Sequence, residues 1–175
     1  MDWSKAKTVL IIGLLIANLA LGGLYLAQQG QGERDVAAFA HNTEIYLANM
    51  GVDLETSLPL ETPRLPVLFV TYGEGGDASR EYGGLRVEGG AAGVSPAASS
   101  AGDTKQQVRP AASAALELAN ELGAEQLKGL VIEDVELVYW IDSGSFGGAA
   151  TEDTAVPSWK FSTNLGDHYL SAYEE

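Results

Sequence analysis

The sequence predicts an α+β fold behind a single N-terminal transmembrane helix, with helices packed on antiparallel β-sheet in an extracytoplasmic domain. Three observations carry that expectation. Residues Thr8–Ala27 hold no charged side chain. Glu33–Met50 and Pro110–Leu122 repeat apolar residues at three- and four-residue spacing, as amphipathic helices do. After Leu130, three segments rich in Val, Ile, Trp, Tyr and Phe read as strands, so the order from Pro110 is helix–strand–strand–strand.

The apolar run sets the topology. A helix from Thr8 to Ala27 spans about 30 Å at about 1.5 Å per residue, the thickness of a bilayer's hydrocarbon core. In lipid every backbone polar group must pair internally, which requires a helix. Lys5 and Lys7 precede it and an acidic domain follows. The positive-inside rule puts 1–7 in the cytoplasm, 8–27 in the cell membrane and 28–175 outside, a single-pass protein with an extracellular C-terminal domain. A cleaved signal peptide has a shorter core, about 7–15 residues before its cleavage site. Leu24 would sit three residues before a cut after Leu26, where a small residue belongs, and the chain has no Cys for lipoprotein processing. Trp3 suits an interfacial position. Within the span, Asn18 and Gly22 share one face and Gly13 and Ala17 a neighbouring one. A polar residue and small-xxx-small pairs mark helix–helix contact, so these four are the expected transmembrane partner contacts.

In the outer domain, Val36, Phe39, Ala40, Thr43, Tyr46, Leu47 and Met50 form the stripe of the first helix, which Gly51 ends. Pro59, Pro63 and Pro66 mark an extended, turn-rich passage into a strand at Val67–Tyr72. Gly73–Arg109 is dominated by Gly, Ala and Ser and reads as flexible loop with a short strand near Gly84–Glu88. The second helix starts at Pro110 and stops at Gly123, with Leu116, Ala119 and Leu122 on its apolar stripe. Leu130–Ile141 alternates, with a bulge expected near Asp134. Trp159–Thr163 and His168–Ala172 flank a hairpin turn at Asn164–Asp167.

Charge and chemistry narrow the function. The chain's −14 becomes −15 once the +1 of residues 1–7 is set aside, which disfavours nucleic acid and anionic lipid surfaces. Without Cys there is no disulfide frame, thiolate ligand or thiol nucleophile. His41 and His168 are the only histidines. Ser143 or Ser145 with His168 and Asp142 would form a hydrolase triad, but no G-x-S-x-G elbow surrounds either serine. The acidic loops after Asp142 and at Thr151 lack EF-hand spacing, and no phosphate-binding glycine motif occurs. The expectation is a non-enzyme with no catalytic residue, cofactor or metal.

Several separated segments resemble one family. The start MDWSKAKTVLIIGLLIANLALGGLYL, the NTEIYLANMGVDLETSLPLE passage, and the ending VELVYWID followed by VPSWKFSTNLGDHYLSAY resemble YycI proteins, in order and over about half the chain. Trp3, Tyr139, Trp140, Pro157, Trp159, Gly166 and Tyr169 are the matching positions. The Gly-rich middle departs from the family, whose members are longer. The resemblance implies a membrane-anchored regulator of the WalK (YycG) sensor histidine kinase, partnered by a YycH-like protein. It implies homo- or hetero-oligomers and an α+β outer domain. Two other readings stand beside it. One is a generic anchored module for an extracytoplasmic ligand or cell-wall material, with Trp159 or Tyr173 exposed to it. The other is an anchored hydrolase.

Overall fold

A computed structural model describes residues 34–72, 81–89, 96–141 and 152–173. Contacts divide the chain between Ala38 and Phe39. Of the first unit, residues 34–38 are helical. The expected transmembrane segment 8–27, and the positions Trp3, Gly13, Ala17, Asn18 and Gly22, lie outside the described residues, among which no helix is long and apolar enough to cross a membrane.

The fold is α+β. Helix α1 covers 34–49 and α2 covers Ala111–Leu127. The strands are β1 (Asp53–Leu54), β2 (Arg64–Tyr72), β3 (Glu81–Tyr82), β4 (Leu85–Gly89), β5 (Pro96–Gln107), β6 (Val131–Ile141), β7 (Glu152–Thr163) and β8 (Gly166–Ser171). They form one sheet in the order β3-β4-β6-β7-β2-β5, with β1 added to β6 and β8 to β7. The sheet is mixed rather than purely antiparallel. β1 and β4 both run parallel to β6, at its two ends, while β2, β5, β7 and β8 pair antiparallel.

β6 and β7 form the spine. Their register runs from Ile132↔Thr163 to Ile141↔Ala155, with a single irregularity between Ile132 and Asp134, where the sequence places a bulge. Successive side chains leave a strand on opposite faces, so this register sorts the residues. Val135, Tyr139, Ile141, Ala155, Trp159, Phe161 and Leu170 are buried on one face. Trp159, Phe161 and Leu170 join Ala40 and Leu47 of α1 and the alanine-rich side of α2 in one core, while Tyr139 and Ile141 join Leu68, Val70 and Val87 in a second. β8 closes on β7 through Asn164–Leu165, with Thr163 opposite Gly166 at φ 120°.

The helices differ in detail from the sequence pattern. On α1, Ala40, Thr43 and Leu47 are buried, but Phe39 and Tyr46 are 38% and 50% exposed. The buried stripe is narrower than the apolar one. On α2 the core is reached by Leu118 and by Ala111, Ala112, Ala114, Ala115 and Ala119, while Leu116 and Leu122 are only partly buried. Alanines let the helix backbone lie close to the sheet, with Leu118 and, past Gly123, Leu127 as its deeply buried leucines. Gly123, at φ 72°, breaks the helix where it was expected to end, and the chain then resumes helical geometry to Leu127. Gly51 takes the left-handed conformation (φ 90°) at the close of α1.

The largest departure is Gly73–Arg109. Rather than mostly loop, its described part contains β3, β4 and the whole of β5. β5 pairs with β2 along its length, from Arg64↔Gln107 to Tyr72↔Pro96. Pairing to a β-branched, aromatic strand overrides the weak propensity of Ala, Ser and Gly, because the ladder bonds are backbone bonds. Two register irregularities interrupt this edge strand, and Asp103 and Lys105 stand exposed on it. Bulges and charges of this kind blunt an edge against pairing with other chains.

Candidate functional site

Two features of the described unit are built well enough to carry function: a polar network on the open face of the sheet, and clefts around its rim. The network follows from the β6–β7 register. Glu136 stands opposite Lys160, and Lys160 opposite Tyr169. β4 pairs parallel with β6, setting Glu88 beside Trp140. Arg86, Glu88, Glu136, Lys160, Asp167 and Tyr169 therefore meet on one face.

Lys160 is its centre. Its side chain is 12% exposed, with Nζ 3.0 Å from Glu88, 3.3 Å from Asp167 and 3.7 Å from Glu136. Arg86 pairs with both oxygens of Glu136. Tyr169 donates its hydroxyl hydrogen to Glu88 at 2.7 Å. Partial burial acts to lift the Glu88 pKa, but the Tyr169 and Lys160 hydrogen bonds outweigh it and hold the carboxyl below its usual range. Burial likewise opposes charge on Lys160, yet the Glu88 and Asp167 bonds raise its pKa. Tyr169 is pushed up to about 12, chiefly by burial and then by its bond to Glu88. Asp167 is lowered by a hydrogen bond from Ser162 and by Lys160. Every charge here has a partner of opposite sign, so the network is a structural clamp joining β4, β6, β7 and β8.

The aromatic residues complete the clamp. The Trp140 ring stacks on Tyr169, centroids 3.7 Å apart and planes 15° apart. Trp140 and Tyr169 sit on strands either side of β7, and the buried Ser158 between them leaves room for the rings to meet. A Cβ at Gly89 would lie 3.0 Å from the Trp140 ring and 2.4 Å from Ile141 O, so glycine is needed where β4 passes.

The positions singled out by the sequence divide in two. Trp3, Gly13, Ala17, Asn18 and Gly22 lie outside the described residues. Tyr139, Trp140, Pro157, Trp159 and Tyr169 come together as sheet neighbours, while Gly166 stands opposite Thr163 at the β7–β8 turn. Tyr139 stands opposite Pro157 and donates its hydroxyl to Pro66 O at 3.1 Å. Burial, with lesser effects from Tyr173 and Tyr82, raises its pKa to about 12. Trp159 is 1% exposed, and its Nε1–H bonds to Arg109 O at 2.9 Å. Arg109 N–H in turn bonds to Ala172 O at 2.8 Å, and its guanidinium pairs with Glu117. These bonds seat the start of α2 on β7 and the end of β8.

That burial is the structural role expected of Trp159 on a paired strand, and it removes the alternative in which Trp159 or Tyr173 would meet a ligand. Trp159 lies in the core, and Tyr173 is half-buried with its hydroxyl bonded to Leu65 O at 2.8 Å. His41 is exposed 3.9 Å from Glu44, while His168 is half-buried on β8. Asp142, Ser143 and Ser145 lie outside the described residues. Nothing in the sequence motifs singles out Arg86, Glu88, Lys160 and Asp167 as site residues. The alternation in Leu85-Arg-Val-Glu was the one available signal, since their convergence depends on strand pairing across long sequence distances.

Of two clefts, one is separate from this network and the other borders it at Arg86 and Glu136. A groove of about 420 Å³ runs between α1 and α2, lined by Phe39, Asn42, Thr43, Tyr46, Leu116 and Asn120. A second, of about 350 Å³, opens at the edge of β6 beside Pro59, Pro63, Leu85 and Trp159. No family model, curated protein or solved structure matches the chain.

Proposed function

We propose that this protein is a non-enzymatic, membrane-anchored regulator of a sensor histidine kinase. It works with a YycH-like partner through its transmembrane helix and its outer domain. The observation that carries the outer-domain half of this reading is the α1–α2 groove. Phe39 and Tyr46 stand on one side of α1 with Asn42 between them, and Leu116 and Asn120 face them from α2. Large aromatics left exposed next to neutral amides suit a protein partner better than a catalytic role, because aromatic anchors dominate protein interfaces. Support for the membrane half is the uncharged run Thr8–Ala27 with its Asn18 and small-residue faces, and the resemblance of both chain ends to YycI proteins.

The test is co-purification of the tagged full chain from membranes that contain the kinase and the YycH-like protein. The wild type should retain both. Tyr46→Ser should weaken association through the outer domain without lowering the melting temperature. Asn18→Leu should weaken it through the membrane and alter kinase output. Failure of the wild type to retain either protein would overturn the proposal.

A further inference from the structure

The clamp on the open face holds its strands unequally. β8 pairs with β7 all the way from Ser158↔Ser171 to Thr163↔Gly166, whereas the described ladder between β4 and β6 covers only Val87, Glu88 and Gly89. β4 also runs parallel to β6, the slightly weaker mode of pairing. Among the described residues β3 pairs with β4 alone, through a turn at Gly83 and Gly84 whose φ angles of 61° and 84° suit glycine. The hairpin 81–89 is therefore carried by β4, and β4 by a short stretch of backbone.

Side chains supply the rest of the attachment. Val87 is buried, Tyr82 and Leu85 pack against the second core, and the Tyr82 ring meets Tyr139 edge-on at 6.0 Å. Two charges complete it. Arg86 holds Glu136 of β6. Glu88 reaches across β6 to both strands beyond, lying 3.0 Å from Lys160 Nζ on β7 and accepting the Tyr169 hydroxyl of β8 at 2.7 Å. Its third charged or titratable neighbour is Arg86, whose Nε is 3.8 Å away. Among the described residues no other ion pair or side-chain hydrogen bond joins this hairpin to β7 or β8.

We infer that the β3–β4 hairpin is a strap latched by the ionised Glu88 carboxylate, and that removing this charge lets it lift from the sheet as a unit while the β6–β7 spine and the helix-covered core stay folded. A neutral Glu88 is a weaker acceptor for both of its bonds, since bonds to an ionised group are the stronger kind. Lys160 does not depend on it, because Asp167 at 3.3 Å and Glu136 at 3.7 Å remain as partners. The loss therefore falls on the hairpin and not on β7 or β8. The ion pair left to the hairpin is Arg86–Glu136, and the Arg86 side chain is 54% exposed, where such pairs contribute little. Local opening favours segments with the least pairing and burial to lose. Burial opposes the charge on Glu88, but the Tyr169 and Lys160 bonds hold its pKa below the ordinary 4.5, so in acid the latch opens only as pH falls below that value. The inference rests on the open-face network and is separate from the kinase reading, which rests on the α1–α2 groove and the membrane helix.

The test is amide hydrogen exchange of the full chain in detergent, read segment by segment in the wild type, Glu88→Gln and Tyr169→Phe. At neutral pH Glu88→Gln should speed exchange within 81–89 by about ten- to hundredfold, the range for lost hydrogen bonds to a charged group, while β7 and α2 keep wild-type rates. Tyr169→Phe keeps the ring on Trp140 and removes one bond to Glu88, so it should speed the same segment by about three- to tenfold. In the wild type, corrected for intrinsic exchange, 81–89 should lose protection before β7 does as the pH is lowered to about 3. Equal exchange of 81–89 in the wild type and Glu88→Gln would overturn the inference. So would a speeding spread evenly over 81–89, β7 and α2, or a simultaneous loss of protection in acid.

Discussion

The two faces of the β6–β7–β8 sheet are held by different forces. On the covered face Trp159, Phe161, Tyr139 and Leu170 are all buried against helices or neighbouring strands. On the open face Lys160 and Arg86 bridge Glu88, Glu136 and Asp167 beneath the Trp140–Tyr169 stack. The first face gains mainly from removal of apolar area from water, which pH leaves alone until the buried Tyr139 ionises. The second gains from paired charges, whose worth changes whenever one partner titrates. One sheet therefore has a side held mainly by burial and a side held by ion pairs that follow the protonation of their members.

The largest expected effect is on the covered face. Trp159→Ala removes a ring that is 1% exposed and also the bond that seats Arg109. It should cost about 3–5 kcal/mol in chemical denaturation, as large-to-small core substitutions do. A loss under about 1 kcal/mol would mean that the core is not centred on this residue.

On the open face Lys160→Met should cost less, about 1–3 kcal/mol, because it leaves partly buried carboxylates without their shared donor. The comparison sharpens with pH. Glu88 and Asp167 have folded pKa values below their unfolded ones, so their stabilisation is present above the ordinary carboxylate range and is lost as pH falls through the folded values. Tyr139 and Tyr169 are raised to about 12 and Lys160 is raised as well. Their stabilisation is complete below about pH 10 and is lost as pH rises further. Melting followed across that range should show both limbs in the wild type and a flatter profile in Lys160→Met. Trp159→Ala should shift the whole curve down and keep its shape. The smallest effect belongs to the exposed groove, where Phe39→Ser and Tyr46→Ser should each stay within about 0.5 kcal/mol.

What the sequence revealed tracks how local the cause is. Although the turn is Asn164–Leu165 rather than Asn164–Asp167 and α2 resumes after Gly123, the bulge near Asp134 and a hairpin turn after Thr163 follow from a few adjacent residues and were legible. β5 was not, because Ala, Ser and Gly carry no strand signal until β2 supplies a ladder for them. The same holds for Lys160, whose partners Glu88, Glu136 and Asp167 arrive on three other strands. Leu118 rather than Leu116 entered the core because the alanines around it let α2 roll closer to the sheet.

The proposed regulatory role depends on the domain standing outside the membrane. The chain has no Cys, so Asp103→Cys on the exposed edge of β5 introduces a single reporter. In intact cells it should react with a membrane-impermeant maleimide, and the labelled chain should stay in the membrane fraction. Labelling only after lysis would contradict the account.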